Sequence, residues 1–288
     1  MHRYLDFKFI LTKFGELVLP SVNSMANLRW FNQPFCSTPL GDYKCYFDLW
    51  SEAKINSFNN EAVLEFEQSC GFGVDRNWLN HLGFTTQVVI KDSPLNYAHG
   101  RVLYSALRRY IDTHTEEVRK FNIIETGTAR GFSSLCIAKA LEDANMDATI
   151  HTFDVLPHNV PMYWNCVSDA VRGIISRNQL LDDWVKLKER YIVFNQGYSK
   201  NLLPKIFIPR IHFAFLDGAH SYDDVIFEFN IVSKRQIKGD IIVFDDYTID
   251  EFPGIVKAID QIGQDFGYSL EKIIESNQNR GYVVATKK

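Results

Sequence analysis

The stretch Ile123-Ile124-Glu125-Thr126-Gly127-Thr128-Ala129-Arg130-Gly131-Phe132-Ser133-Ser134 passes from apolar residues to an acid, then through a glycine loop into a helical pattern. A strand feeding a glycine turn and a helix start is the ligand-side corner of an open α/β sheet. Glycine lets backbone approach a ligand closely, and the first helical turn offers N–H groups without partners. The spacing excludes the two phosphate loops of similar shape. A dinucleotide loop needs G-x-G-x-x-G, whereas the glycines here stand at 127 and 131 with Ala129 between them; a P-loop needs a lysine after its second glycine, where this chain has Phe132. The pattern present is E-x-G-x-x-x-G-x-S.

The chain beyond about residue 120 agrees with such a sheet. Short apolar runs at 121–126, 149–154, 190–195, 211–217, 240–244, 270–274 and 281–286 alternate with helical patterns at 131–146, 164–179, 199–204, 221–236 and 253–266. Ile211-His212-Phe213-Ala214-Phe215-Leu216 and Ile241-Ile242-Val243-Phe244 are nearly continuous apolar runs, as strands buried on both faces are. Ser221-Tyr222-Asp223-Asp224 has the form of a helix start, with acids in the first turn. Leu103, Leu107, Tyr110 and Ile111 share one helical face, which predicts a helix over 97–116 leading into the first strand. The expected fold class is α/β: a Rossmann-like, seven-stranded, mostly parallel sheet with helices on both faces, spanning residues 96–288.

Residues 1–95 read differently. They lack clear alternation and carry Trp30, Phe31, Phe35, Tyr43, Tyr46, Phe47, Trp50 and Trp78 among Pro, Asn and Gly. That composition suits an N-terminal cap over a substrate or a subunit interface, with packing against the catalytic core as the plainer alternative. A net charge of −4 over 288 residues gives no electrostatic footprint for nucleic acid. Five cysteines, odd in number and without C-x-x-C, suggest neither a disulfide framework nor a zinc site and point to the reducing cytoplasm. Charges interrupt Tyr4-Leu5-Asp6-Phe7-Lys8-Phe9-Ile10-Leu11 before it forms a signal-peptide core, and no apolar run is long enough to span a membrane. The first residues are expected to pack on protein, an amphipathic surface element being the lesser alternative.

Three acids complete the pattern. Asp217 ends the fourth apolar run in Leu216-Asp217-Gly218-Ala219-His220-Ser221-Tyr222, and Asp245-Asp246 end the fifth before Tyr247. Adjacent parallel strands place their carboxyl ends side by side, so these carboxylates should converge on one edge of the sheet. Clustered acids repel unless a cation sits among them, and hard oxygen ligands suit Mg²⁺, with Mn²⁺ or Ca²⁺ as substitutes.

The glycine loop resembles that of class I S-adenosylmethionine-dependent methyltransferases. D-G-x-H-S-Y followed by an apolar strand ending in D-D-Y narrows the resemblance to the metal-dependent macrocin O-methyltransferase group, which methylates sugar hydroxyls, with a fold-level similarity to catechol-type enzymes. The resemblance covers residues 97–286 and only loosely the N-terminal third. It implies S-adenosylmethionine held at Glu125, Gly127, Thr128, Gly131, Ser133 and Ser134. Asp154 would take the ribose hydroxyls, and Gly197, in Asn195-Gln196-Gly197-Tyr198-Ser199, would lie near the adenine. Asp217 would border the cofactor as well. In that group the acids matching Asp217, Asp245 and Asp246 bind the metal. Asp217 or His220 would take the acceptor's proton.

The implied enzyme is an O-methyltransferase of a hydroxylated small molecule, most specifically a sugar or glycosylated metabolite, and a homo-oligomer. A catechol or phenol acceptor, a divergent reaction such as hydroxylation, and a non-catalytic cofactor-binding scaffold remain as alternatives. Among other residues, Arg130 would meet substrate or solvent, His99 and Arg101 would close the pocket, and Tyr222 and Tyr247 would shape it or pack. His151 and His212 are expected as sheet residues.

Overall fold

A computed structural model of the chain describes residues 36, 38–114, 120–218, 220–275 and 280–288. Expectations for Trp30, Phe31, Phe35 and the first residues fall outside these, as does the end of the helix predicted over 97–116. Helices α1 (Tyr43–Phe58), α2 (Glu61–Cys70), α3 (Arg76–Thr86) and α4 (His99–His114) precede the sheet. There follow β1 (Phe121–Thr126), α5 (Phe132–Asp143), β2 (Ala148–Asp154), α6 (Val167–Val171), α7 (Arg177–Leu180), α8 (Val185–Tyr191), β3 (Ile192–Gln196) and α9 (Ser199–Leu202). The chain closes with β4 (Phe213–Leu216), α10 (Tyr222–Ser233), β5 (Ile241–Phe244), α11 (Pro253–Asp265), β6 (Tyr268–Ile274) and β7 (Gly281–Lys287).

The seven strands form one sheet in the order β3-β2-β1-β4-β5-β7-β6. β1 to β5 pair in parallel, and β7 enters antiparallel between β5 and β6. Side chains alternate across the pleat, so each apolar strand supplies both faces. Ile123, Phe213, Phe215, Ile241 and Val243 join one core with α4 and α5, while Ile124, Ala214, Leu216, Ile242 and Phe244 join the other with α10 and α11. Chain order reverses between β1 and β4, which opens a crevice at their carboxyl ends.

Three helices in the N-terminal region are absent from the sequence expectation. Each starts at a residue whose carboxylate or amide oxygen accepts a backbone N–H: Asp42 from Cys45, Asn60 from Val63 and Asp75 from Trp78. Tyr46, Ala53, Val63, Leu79 and Leu82 are buried in the same core as Leu103 and Phe132.

The continuous helix expected over 164–179 does not form. The Asp169 carboxylate accepts the N–H groups of Trp164 and Asn165 at 2.8 and 2.6 Å, and the buried Trp164 indole donates to the Ile175 carbonyl at 2.8 Å. The chain therefore folds back, with Met162 and Ile175 paired as an isolated bridge, and α7 starts afresh from a capping box at Ser176. Likewise the 199–204 element is a short α9 running into a 3₁₀ turn at Leu203–Lys205.

Candidate active site at the carboxyl edge of the sheet

Two loops meet in the crevice. In the first, Gly127 has φ +88°, and a Cβ there would lie 2.2 Å from the carbonyl oxygen of Asp217, so only glycine admits this approach of the β1 and β4 loops. Ala129 is held at φ +45°, a region alanine rarely enters. Both its backbone groups are tied down. Its N–H donates to Asp154 Oδ2 at 2.5 Å, and its carbonyl accepts from Arg177 Nε at 2.7 Å. Gly131, at φ +90°, opens α5.

The predicted cofactor residues fall along this loop and at the ends of β2 and β3. Glu125, next to last in β1, is fully buried; Ser134 donates to its Oε2, while Oε1 makes no hydrogen bond with a described residue. Burial raises its pKa against the pull of the Ser133, Ser134 and Thr152 hydroxyls. Thr128 and Thr152 share a hydrogen bond of 2.5 Å. Asp154, at the end of β2, also accepts the Leu156 N–H at 2.7 Å and has Arg177 Nη2 at 3.5 Å. Burial raises its pKa while Arg177 draws it down. Gly197 follows β3, its N–H bonded to the Asp154 carbonyl at 2.7 Å.

Facing it, the loops after β4 and β5 carry the acids. Asp217, His220 and Asp246 bring one ligand atom each within 4.8 Å of one another. His220 Nε2 lies 3.1 Å from Asp246 Oδ2, and its ring packs on Phe252 with centroids 5.0 Å apart. Asp246 holds φ +58°, with its N–H on Asp245 Oδ1 at 2.8 Å. Burial, then the charges of Asp245 and Asp246, hold the Asp217 carboxyl well above the usual carboxylate range.

Asp245 stands apart from the trio that geometry gathers. Arg280 Nη2 pairs with its Oδ2 at 2.7 Å. Burial alone would raise its pKa, and Arg280, His99 and the Asp246 N–H together outweigh burial to hold it low. Arg280 lies far along the sequence from the acids it meets, so no motif links them. β7 runs antiparallel to β5 with Val283 opposite Phe244, which returns the start of β7 to the edge where β5 ends. An antiparallel last strand is the signal that places this arginine among the acids.

Behind the junction of the loops lies Glu228 of α10. Thr126 Oγ1 donates to its Oε2 at 2.8 Å, and Oε1 makes no hydrogen bond with a described residue. Burial pushes its pKa up to about 7.

Other sequence candidates divide. His99 is buried near Asp245 and Arg280, and burial lowers its pKa to about 3, so it is neutral. Arg101 turns away from the crevice to Glu67 and the Ser57 carbonyl, and serves packing. Arg130 Nε donates to the Trp164 carbonyl at 2.5 Å. Tyr222 and Tyr247 bond Gln261 and Asp260 of α11. His212 accepts the Asn122 N–H at 3.0 Å, as a sheet residue does. Arg177, 2% exposed, and Arg280 are the crevice residues that sequence pattern does not reveal.

A family model described as a methyltransferase domain matches residues 124–247. The O-methyltransferase TomG from Streptomyces achromogenes, involved in tomaymycin synthesis and solved with S-adenosylmethionine, is similar in structure. It is 16% identical, with a TM-score of 0.51 over 80% of this chain and 96% of that one. The Podospora anserina methyltransferase PaMTH1, solved with S-adenosylhomocysteine, is 14% identical with a TM-score of 0.51 over 80% and 97%. No curated protein matches by sequence. No helix among the described residues is long and apolar enough to cross a membrane. The matched segment runs from within β1 to just past β5 and so contains both loops of the crevice, and the chain shares the fold of these methyltransferases.

Proposed function

We propose that the chain is an S-adenosylmethionine- and divalent-metal-dependent O-methyltransferase acting on a hydroxyl of a small molecule, a sugar or glycosylated metabolite. The observation that carries this reading is the convergence of Asp217, His220 and Asp246 beside the glycine loop. The donor set fits a hard dication. Its half-buried carboxylates raise one another's cost of ionisation, a deficit that bound positive charge relieves. Asp217 and Asp246 would hold the ion, and Asp245 would join by yielding one oxygen from Arg280. Once bound, the ion lowers the pKa of acceptor hydroxyls and orients them.

S-adenosylmethionine brings a methyl group already activated by its sulfonium, so the protein's tasks are alignment and proton removal. The backbone at Gly127, Thr128 and Gly131 and the hydroxyls of Ser133 and Ser134 would hold the amino-acid end, with Glu125 and Asp217 beside it. Asp154 has capacity for the ribose: a carboxylate offers about four acceptor sites, and the Ala129 and Leu156 N–H groups use two. The loop at Gly197 would border the adenine. His220, oriented by Asp246, would take the acceptor's proton, with Asp217 as the second candidate. Residues 1–95 would form the acceptor side or a homo-oligomer contact, and residues 96–288 the catalytic domain. The likeness to TomG, an O-methyltransferase, agrees with an oxygen acceptor, and the macrocin-type motifs favour a sugar over a catechol.

The test combines calorimetry with S-adenosylhomocysteine and transfer of labelled methyl to a panel of sugars and catechols, in Mg²⁺ and after EDTA. Tight cofactor binding with transfer that EDTA stops and Mg²⁺ restores is expected. Full transfer after chelation removes the metal from the reading, and folded protein that binds no S-adenosylhomocysteine removes the cofactor.

A further inference from the structure

Three consecutive residues of the glycine loop are held from outside their own motif, by the chain that folds back after β2. Arg177 Nε donates to the Ala129 carbonyl at 2.7 Å, Arg130 Nε donates to the Trp164 carbonyl at 2.5 Å, and Leu181 packs so closely on Gly131 that a Cβ there would lie 2.7 Å from its Cδ1. Arg177 reaches a second element as well, with Nη2 3.5 Å from Asp154 Oδ2 at the end of β2. That same oxygen accepts the Ala129 N–H at 2.5 Å. Guanidinium, carboxylate and the backbone of Ala129 thus close a ring, which locks the alanine at φ +45°.

The ring also leaves something open. Arg177 is buried, and its Nη2 makes no hydrogen bond with any described residue. At 3.5 Å it stands beyond the reach of a charge-assisted hydrogen bond, about 2.7–2.9 Å, so it lends Asp154 its charge without occupying a lone pair. The rings of Trp164 and Phe194, 5.5 and 6.0 Å from the guanidinium carbon, flank it there. A carboxylate has about four acceptor places, and the Leu156 and Ala129 N–H groups take one on each oxygen of Asp154. Each oxygen keeps a place free, which is what two neighbouring hydroxyls need. The charge matters because burial pushes Asp154 toward its neutral form and Arg177 opposes it. A neutral carboxyl turns an acceptor into a donor and would serve a diol less well.

We infer that Arg177 is a positioning residue of the cofactor site, holding the Asp154 carboxylate with its remaining acceptor places open to the neighbouring hydroxyls of a ribose. The inference rests on the methyltransferase reading above, and it assigns discrimination for the diol to a residue that acts through the carboxylate rather than on the ligand. The probes are S-adenosylhomocysteine and its 2′,3′-dideoxy analogue, which differ only in that diol. The quantity read is the ratio of their affinities. A defect in folding or in the shape of the loop weakens both alike and cancels in the ratio, whereas a misplaced carboxylate weakens the ligand that has hydroxyls to give.

Calorimetry on the full chain compares wild type with Arg177→Gln, Arg177→Lys, Asp154→Asn and the double variant of Arg177→Gln with Asp154→Asn. If Arg177→Gln does not fold alone, it is read in an Ala129→Gly background, since glycine adopts φ +45° without the clamp. A hydrogen bond to a charged group is worth about tenfold in affinity or more. The ratio is expected to fall about tenfold in Arg177→Gln, to return for the most part in Arg177→Lys, which keeps the charge, and to fall no further when Arg177→Gln is added to Asp154→Asn. Equal losses for the two probes in Arg177→Gln, or a ratio that falls as far in Arg177→Lys, reduce the arginine to an anchor of Ala129 and overturn the inference. A further fall in the double variant overturns it too, as does wild-type protein that binds the two probes equally, and each of these results leaves the methyltransferase reading intact. Wild-type protein that binds neither probe overturns that reading and the inference with it.

Discussion

The two loops of the crevice are built on opposite principles. Around β1 and β2 nearly every polar group has a partner: Ser134 serves Glu125, Thr128 meets Thr152, and Asp154 is shared among Ala129, Leu156 and Arg177. Around β4 and β5 like charges are packed together, with Arg280 as the one cation paired to them among the described residues. A network closed on itself stabilises the empty protein and presents a shaped surface. A network short of positive charge destabilises the empty protein and is completed by what it binds. Under the proposed function, one loop would be organised before its ligand arrives and the other by its ligand.

The largest expected effect breaks the contact between the loops. Gly127→Ala places a Cβ 2.2 Å from the Asp217 carbonyl at φ +88° and should cost about 2–4 kcal/mol in urea unfolding, with S-adenosylhomocysteine binding lost. Unchanged stability would mean that the loops are not in contact.

Substitution within the two loops should have opposite signs. In metal-free protein, Asp154→Asn removes an anchor of Ala129 and is expected to destabilise by about 1–3 kcal/mol, whereas Asp217→Asn relieves repulsion and is expected to stabilise by roughly 1 kcal/mol. Asp217→Asn should also erase the gain from Mg²⁺, about 2–3 kcal/mol at a hundred times Kd, and cut transfer at least about 100-fold. Destabilisation by both would show that the acid loop is as closed as the other.

Glu228 sharpens the comparison through pH. Its folded pKa, about 7, lies above its unfolded value, so the folded protein binds the extra proton. That stability is fully present below the ordinary glutamate pKa and is lost as pH rises through about 7. Urea midpoints at pH 5 and pH 8 should differ by at most about 3 kcal/mol through this group, and Glu228→Gln should flatten that part of the dependence. An identical slope in the variant would remove Glu228 as the cause.

The smallest effect is that of Thr128→Ala, which loses one internal hydrogen bond. About 1 kcal/mol is expected, with cofactor affinity reduced less than in Asp154→Asn.

Residues whose place is set by local pattern are legible in the sequence itself. Glu125, Gly127, Asp154, Asp217 and Asp246 each lie in or just after a short apolar run, and parallel pairing carries all of them to one edge. What the pattern hides depends on chain reversal. Arg280 reaches Asp245 only because β7 runs against its neighbours, and Arg177 reaches Ala129 only because Asp169 and Trp164 fold 164–179 back instead of letting it run as a helix. The N-terminal helices are hidden for another reason. Their starts are set by the caps Asp42, Asn60 and Asp75, which alternation does not register.

The bare backbone contact at Gly127 has a consequence for alignment. Methyl transfer demands that donor and acceptor lie on one line, and a misplacement of about 1 Å costs roughly a hundredfold in rate. With no side chain between the Gly127 loop and the Asp217 carbonyl, the wall that would hold the donor is also the wall that would hold the acceptor's metal. A displacement of one wall would then carry the other with it, and the distance between donor and acceptor would change less than either position does.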